Sequence, residues 1–120
     1  MRRILVVDDD KDILEIIEYV LEDGGYTVET LTDGHFLLDK VRDFKPNLII
    51  LDIMLGNMDG RELCRALKTN LETHAIPVVM ISASHALKDI NSPNHQPDAF
   101  VAKPFDIDAL LECVQRQIVA

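Results

Sequence analysis

Apolar residues along this chain follow two rhythms. Ile4–Asp8 is a short apolar run with Val and Ile that closes on an acid, the pattern of a buried strand. From Lys11 to Glu22 the apolar positions are Ile13, Ile16, Ile17, Val20 and Leu21, the spacing of one helix face. Asp9 or Asp10 can cap that helix and Gly24-Gly25 can end it. Tyr26–Leu31 alternates with β-branched residues, a second strand. Asp33–Phe44 sets Leu37, Val41 and Phe44 on one helical stripe, and Pro46 closes it. Leu48–Leu51 is fully apolar and again ends in an acid, Asp52.

The loop "IMLGNMDG" follows, with two glycines and an asparagine. Arg61–Leu71 predicts a helix with Leu63, Ala66, Leu67 and Leu71 inward. Pro77–Ile81 is a further strand, with Pro77 at the first position where little ladder is lost. Ala99–Ala102 is a shorter one. Asp106 then caps a last helix with Ile107, Leu110, Leu111, Val114 and Ile118 on one face. Continuous apolar strands alternating with amphipathic helices predict an α/β, doubly wound domain, its five-stranded parallel sheet covered on both faces. One domain spans residues 1–120. Between Ile81 and Ala99, "SASHALKDINSPNHQPD" carries two prolines and several Asn/Ser residues that oppose a full helix. A short turn near His85–Ile90 is the most the pattern supports, so the fourth helix is expected to be short or irregular.

Composition narrows the function. A formal net charge of −9 with no Lys/Arg cluster argues against direct nucleic-acid binding. No apolar run approaches the ~20 residues of a membrane span, and the apolar stretch after Arg2 and Arg3 is too short before the acids for a secretory signal to be expected. Cys64 and Cys113 are far apart and read as reduced thiols of a cytoplasmic protein. His35, His74, His85 and His95 show no paired spacing and read as surface or loop residues.

The acids are where chemistry enters. Ligand sites of open parallel sheets lie beyond the carboxyl ends of the strands. Asp8 and Asp9 end the first strand and Asp52 ends the third. Alone, "DDD" reads as a solvated charge run with a helix cap, and Asp52 as the start of a loop. If the two strands are neighbours, three carboxylates converge and repel. A hard cation such as Mg²⁺, which takes oxygen ligands and commonly one or two carboxylates, relieves that repulsion. Ser82 ends the fourth strand and Lys103 follows the fifth. A hydroxyl and an ammonium beside such a cluster suit a phosphoryl group, with Asp52 as its carboxylate acceptor. There is no GxxxxGK loop and no Ser/His/base triad.

Four stretches, "VVDDD", "LIILDIMLGNMDG", "ISA" at Ser82 and "FVAKPF", in this order and spacing, resemble the receiver domain of two-component response regulators across essentially the whole chain. The resemblance implies a flavodoxin-like sheet of order 2-1-3-4-5. It implies that Asp52 accepts the phosphoryl group, that Asp9 binds Mg²⁺ directly and Asp8 largely through water, and that the Met54 backbone carbonyl is a further ligand. Ser82 matches the switch hydroxyl, Lys103 the phosphoryl-pairing lysine and Phe100 the aromatic switch position. Lys103-Pro104 matches a bond that is commonly cis in the family. The implied donor is a sensor histidine kinase, a phosphotransfer protein or a small phosphodonor such as acetyl phosphate. The signal passes to an output domain, a docking protein or a second copy in a homodimer. Such a module is not a turnover enzyme.

Two departures stand out. The family's usual proline in the acceptor loop is Gly56, which frees the backbone there. "HQPDAF" replaces the usual approach to the fifth strand. One expectation is that the fourth-helix segment is disordered or rearranged until phosphorylation or a partner orders it, which slow hydrogen exchange across His85–Asp98 in the unmodified protein would refute. A Mg²⁺-dependent phosphohydrolase is disfavoured, because Met54 stands where such enzymes place an acid. A phosphorylation-independent interaction domain is disfavoured by the complete set of acids, Ser82 and Lys103. The chain closes with its last helix, which fits a single-domain regulator or a piece of a larger regulator or hybrid kinase.

Overall fold

In the computed structural model, which describes residues 2–56, 58–83, 97–103 and 106–119, the apolar runs become strands β1 (Arg3–Val7), β2 (Thr27–Leu31), β3 (Leu48–Asp52), β6 (Val78–Ala83) and β7 (Ala99–Lys103). They form one parallel sheet of order β2-β1-β3-β6-β7. This is the expected 2-1-3-4-5 order of a doubly wound, flavodoxin-like sheet. Helices α1 (Lys11–Asp23), α2 (Leu37–Phe44), α3 (Gly60–Thr69) and α4 (Ile107–Val119) flank it.

The sheet separates two cores because neighbouring residues on a strand point to opposite faces. Ile4, Val6, Ile50, Val79 and Ile81 pack with Leu14, Ile17 and Leu21 of α1 and Leu110, Val114 and Ile118 of α4. Leu5, Val7, Ile49, Leu51, Val78 and Met80 pack on the other face with Leu37 and Val41 of α2 and Cys64 and Leu67 of α3. Cys113 lies against the first core and Cys64 in the second, so the sheet stands between the two thiols. β7, at the edge, is only half-buried.

Local chemistry sets the helix ends. Of the two candidate caps for α1, Asp10 is the one that acts, accepting from the backbone N–H of Asp12 (3.0 Å) and Ile13 (3.4 Å). Gly25, at φ 96°, turns the chain into β2. The second helix begins later than the expected span Asp33–Phe44, at Leu37, the first residue of its apolar stripe. Asp33 caps a 3₁₀ turn, Gly34–Phe36, before α2 proper. Lys45 ends α2 in the left-handed region at φ 52°, and its carbonyl accepts from Arg3 Nε at 2.9 Å. Asp106 accepts from the N–H of Asp108 at 2.9 Å, capping α4.

Several inward assignments are corrected. Leu71 is 89% exposed because α3 stops at Thr69, whose hydroxyl bonds back to the Arg65 carbonyl. Asn70 then leaves the helix in extended conformation. Ala66 is exposed, and Cys64 takes the inward place beside Leu67. Ile16 is half-exposed on the flank of α1, where Leu14 is buried instead. Ile107 starts α4 before its first inward turn and is exposed. The loop after Asp52 contains a small antiparallel ladder, β4 (Met54–Leu55) against β5 (Met58–Asp59), turning through Gly56 at φ 60°. The expected short fourth helix and the Lys103-Pro104 bond fall outside the described residues.

Candidate functional site

Strand pairing brings the acids together. Val7 of β1 pairs with Leu51 of β3, so Asp8 and Asp52 emerge side by side at the carboxyl end of the sheet. Both are buried, and Asp9 is exposed above them. One carboxylate oxygen from each of Asp8, Asp9 and Asp52 can be chosen so that all three lie within 4.8 Å of one another. The expected convergence is therefore present.

Lys103 reaches this cluster from the end of β7. Its Nζ donates to Asp8 Oδ2 at 3.1 Å and to Asp52 Oδ2 at 3.2 Å. The other oxygens are held by main chain: Asp8 Oδ1 accepts from the Asp10 N–H at 2.9 Å, and Asp52 Oδ1 from the Met54 N–H at 3.2 Å. Each buried carboxylate is thus oriented by one backbone donor and shares one ammonium.

One lysine does not balance the acids. Burial pushes the Asp52 carboxyl up to about 6, the Asp8 charge adds to the rise, and Lys103 and the Met54 N–H offset only part of it. At Lys103, burial works against the charged form, but the charges and hydrogen bonds of Asp52 and Asp8 prevail and leave the ammonium more basic than usual. Three hard oxygen donors with unrelieved negative charge fit a small divalent cation.

The remaining candidates are placed as follows. Met54 stands in β4 with its side chain mostly exposed and its N–H on Asp52. Ser82 lies in β6 opposite Ala102, and its side chain is outside the described residues. Phe100 is half-buried opposite Met80, against the second core.

Gly60 is a supporting residue that the sequence reading passed over. A Cβ there would sit 2.0 Å from the Asp52 carbonyl oxygen and 2.9 Å from Ile53 Cα. Its N–H donates to the Ile53 carbonyl at 2.7 Å. Only glycine lets the start of α3 press this closely on the acceptor strand. Asp59 caps α3 through the Arg61 N–H at 2.9 Å and also holds the Arg61 guanidinium. The acid of "MDG" ahead of a helical stripe is the signal that could have found Asp59 as a cap.

The family described as "Response regulator receiver domain" matches residues 4–115. A curated relative, the DNA-binding dual master transcriptional regulator RpaA of Synechocystis, is 35% identical over 116 residues, 96% of this chain and 48% of that protein. The chain thus spans about half the length of that relative. The crystal structure of the receiver domain of NtrX from Brucella abortus is 32% identical, with a TM-score of 0.88 and 98% of each chain covered. The signal receiver domain of a signal transduction histidine kinase from Syntrophus aciditrophicus is 30% identical, with a TM-score of 0.90, covering 99% of this chain and 91% of that one.

Proposed function

From the premise that the chain belongs to the response regulator receiver domain family of two-component signalling, we propose that Asp52 accepts a phosphoryl group in a Mg²⁺-dependent transfer. The observation that carries this is the cluster of Asp8, Asp9 and Asp52 oxygens, bridged in part by Lys103. Asp8, Asp9 and Asp52, with the Met54 carbonyl, would hold the ion. When bound, it neutralises charge on the phosphoryl oxygens and on the acids.

The protein's own groups do the rest. An Asp52 carboxylate oxygen forms the new P–O bond. The donor's P–N bond, from a phosphohistidine, or P–O bond, from an acyl phosphate, breaks, and the leaving group keeps the electron pair. Lys103 exchanges a carboxylate partner for a phosphoryl oxygen, and the Ser82 hydroxyl donates to another. Phe100 packs inward behind Ser82, and the altered face changes partner binding. Physically this is a population shift between two packings, biased by contacts better made in one of them.

The donor is a sensor histidine kinase, a phosphotransfer protein or a small phosphodonor, and the recipient an output domain, a docking protein or a second copy. We read the chain as a cytoplasmic signalling module and not a turnover enzyme, since Met54 provides no acid or base beside Asp52. Among the described residues, no helix is long and apolar enough to cross a membrane. The net charge of −9 is the reason for assigning this stretch no nucleic-acid contact of its own.

The test is intact mass after incubation with acetyl phosphate. One phosphoryl group should be gained with Mg²⁺, and none without it or in Asp52→Asn. Failure to gain it, together with failure to bind Mg²⁺ and beryllofluoride, would overturn the proposal.

A further inference from the structure

At the opposite end of the sheet from the acids, Lys68 makes an unusual set of contacts. Lysine side chains normally leave their ammonium in water. Lys68, in the last turn of α3, is mostly buried, and its Nζ donates to Asp98 Oδ2 (2.5 Å), the Ile76 carbonyl (2.9 Å) and the His74 carbonyl (3.3 Å). Three acceptors match the three N–H bonds of an ammonium.

Asp98 in turn grips the first residue of β6. Its Oδ2 accepts from the Val78 N–H at 2.8 Å, and its own N–H donates to the Val78 carbonyl at 2.9 Å. Side chain and backbone together fix Asp98 on Val78. Ala99 follows at once, and the ladder runs Val79↔Ala99, Met80↔Phe100, Ile81↔Val101, Ser82↔Ala102, Ala83↔Lys103.

β7 needs such a fixed point. It is an edge strand, pairs with β6 alone among the described residues, and is half-buried throughout. A slip of one residue would shift it by about 3.3 Å and turn every side chain to the other face. Lys103 would then lose its contacts with both Asp8 and Asp52.

We propose that Lys68 is a positioning residue of the Asp52 site: by clamping Asp98 onto Val78 it sets the register of β7 and so the reach of Lys103. This rests on the phosphoryl-acceptor reading for its functional consequence and on geometry alone for the register.

The experiment is a double-mutant cycle on the rate of Mg²⁺-dependent phosphorylation by acetyl phosphate, with the ladder read in parallel from amide–amide NOEs between β6 and β7. Lys68→Met should slow phosphorylation about 10-fold or more, since a displacement of an ångström can cost that much. In a Lys103→Ala background the same change should alter the rate by less than about 2-fold, because a residue acting through Lys103 has nothing left to position. Equal slowing in both backgrounds, or none in the native one, would overturn the proposal. Asp98→Asn, which keeps an acceptor for the Val78 N–H but removes the charge that holds Lys68, should slow the reaction in the same lysine-dependent way and serves if Lys68→Met does not fold. If the native chain takes no phosphoryl group at all, the proposed function falls and the NOEs decide the register: a native ladder retained in the variants counts against the clamp, and a lost one supports it.

Discussion

The ammonium of Lys103 lies 3.2 Å from Asp52 Oδ2, a contact between residues 51 positions apart in the chain. It is also 3.1 Å from Asp8 Oδ2, so one cation holds two buried carboxylates in place. Removing one partner of a buried charge cluster leaves the others uncompensated.

Lys103→Met should therefore destabilise the metal-free protein by about 3–5 kcal/mol at neutral pH. Mg²⁺ should restore much of the loss, because the ion supplies the missing positive charge. Urea denaturation with Mg²⁺ and with a chelator reads both effects. Equal losses in the two conditions would count against a shared electrostatic role.

The sign of the pH dependence follows from Asp52. Its carboxyl is raised from the ordinary 3.8 to about 6. Between those values the folded chain keeps a proton that the unfolded chain has already lost. The stability tied to this group is thus full below about pH 4 and is lost as pH rises through about 6, to a total of about 3 kcal/mol. Without metal, Asp52→Asn should gain on the native protein across that window and lead it at pH 7. Melting curves of the pair from pH 4 to 7 check this.

Mg²⁺ should stabilise the native chain by mass action, by about 2.7 kcal/mol at 100 times its dissociation constant. Asp9→Asn should weaken that gain while leaving the metal-free stability nearly unchanged, since Asp9 is exposed and its carboxylate joins the cluster from the solvent side. Chemical denaturation over a Mg²⁺ titration measures both.

Gly60→Ala forces a methyl group against backbone atoms that have no flexible tail to yield. Overpacking of this kind costs about 1–3 kcal/mol. The loss should come with slower phosphorylation of Asp52, whose carbonyl the methyl meets first. A destabilised variant with native phosphorylation would separate the packing role from the site.

The strands and the acids at their ends were readable because a fully buried parallel strand is a run of apolar residues, and the break in that run marks the edge of the sheet. Ile4–Val7 ending at Asp8 and Leu48–Leu51 ending at Asp52 carried both the fold and the convergence. The β4–β5 hairpin was not readable, since two residues per strand give no periodic signal. Gly60 escaped notice for a different reason. Its need for glycine arises from the approach of another segment, which no local pattern records. Leu71 misled because it continues a helical stripe beyond the turn where Asn70 breaks the helix. The Lys68–Asp98 contact joins positions whose meeting depends on how α3 and β7 are placed in the finished fold.

The division of the interior by the sheet also bears on how such a chain can change in length. In β1, Ile4 and Val6 serve one core, while Leu5 and Val7 serve the other. Deleting a single residue within that strand would exchange the two sets and at the same stroke turn Asp8 away from Asp52. Folding and chemistry thus share one reading frame along β1 and β3. Insertions and deletions that leave a working descendant should collect in the connections, where the count of residues carries no such double meaning.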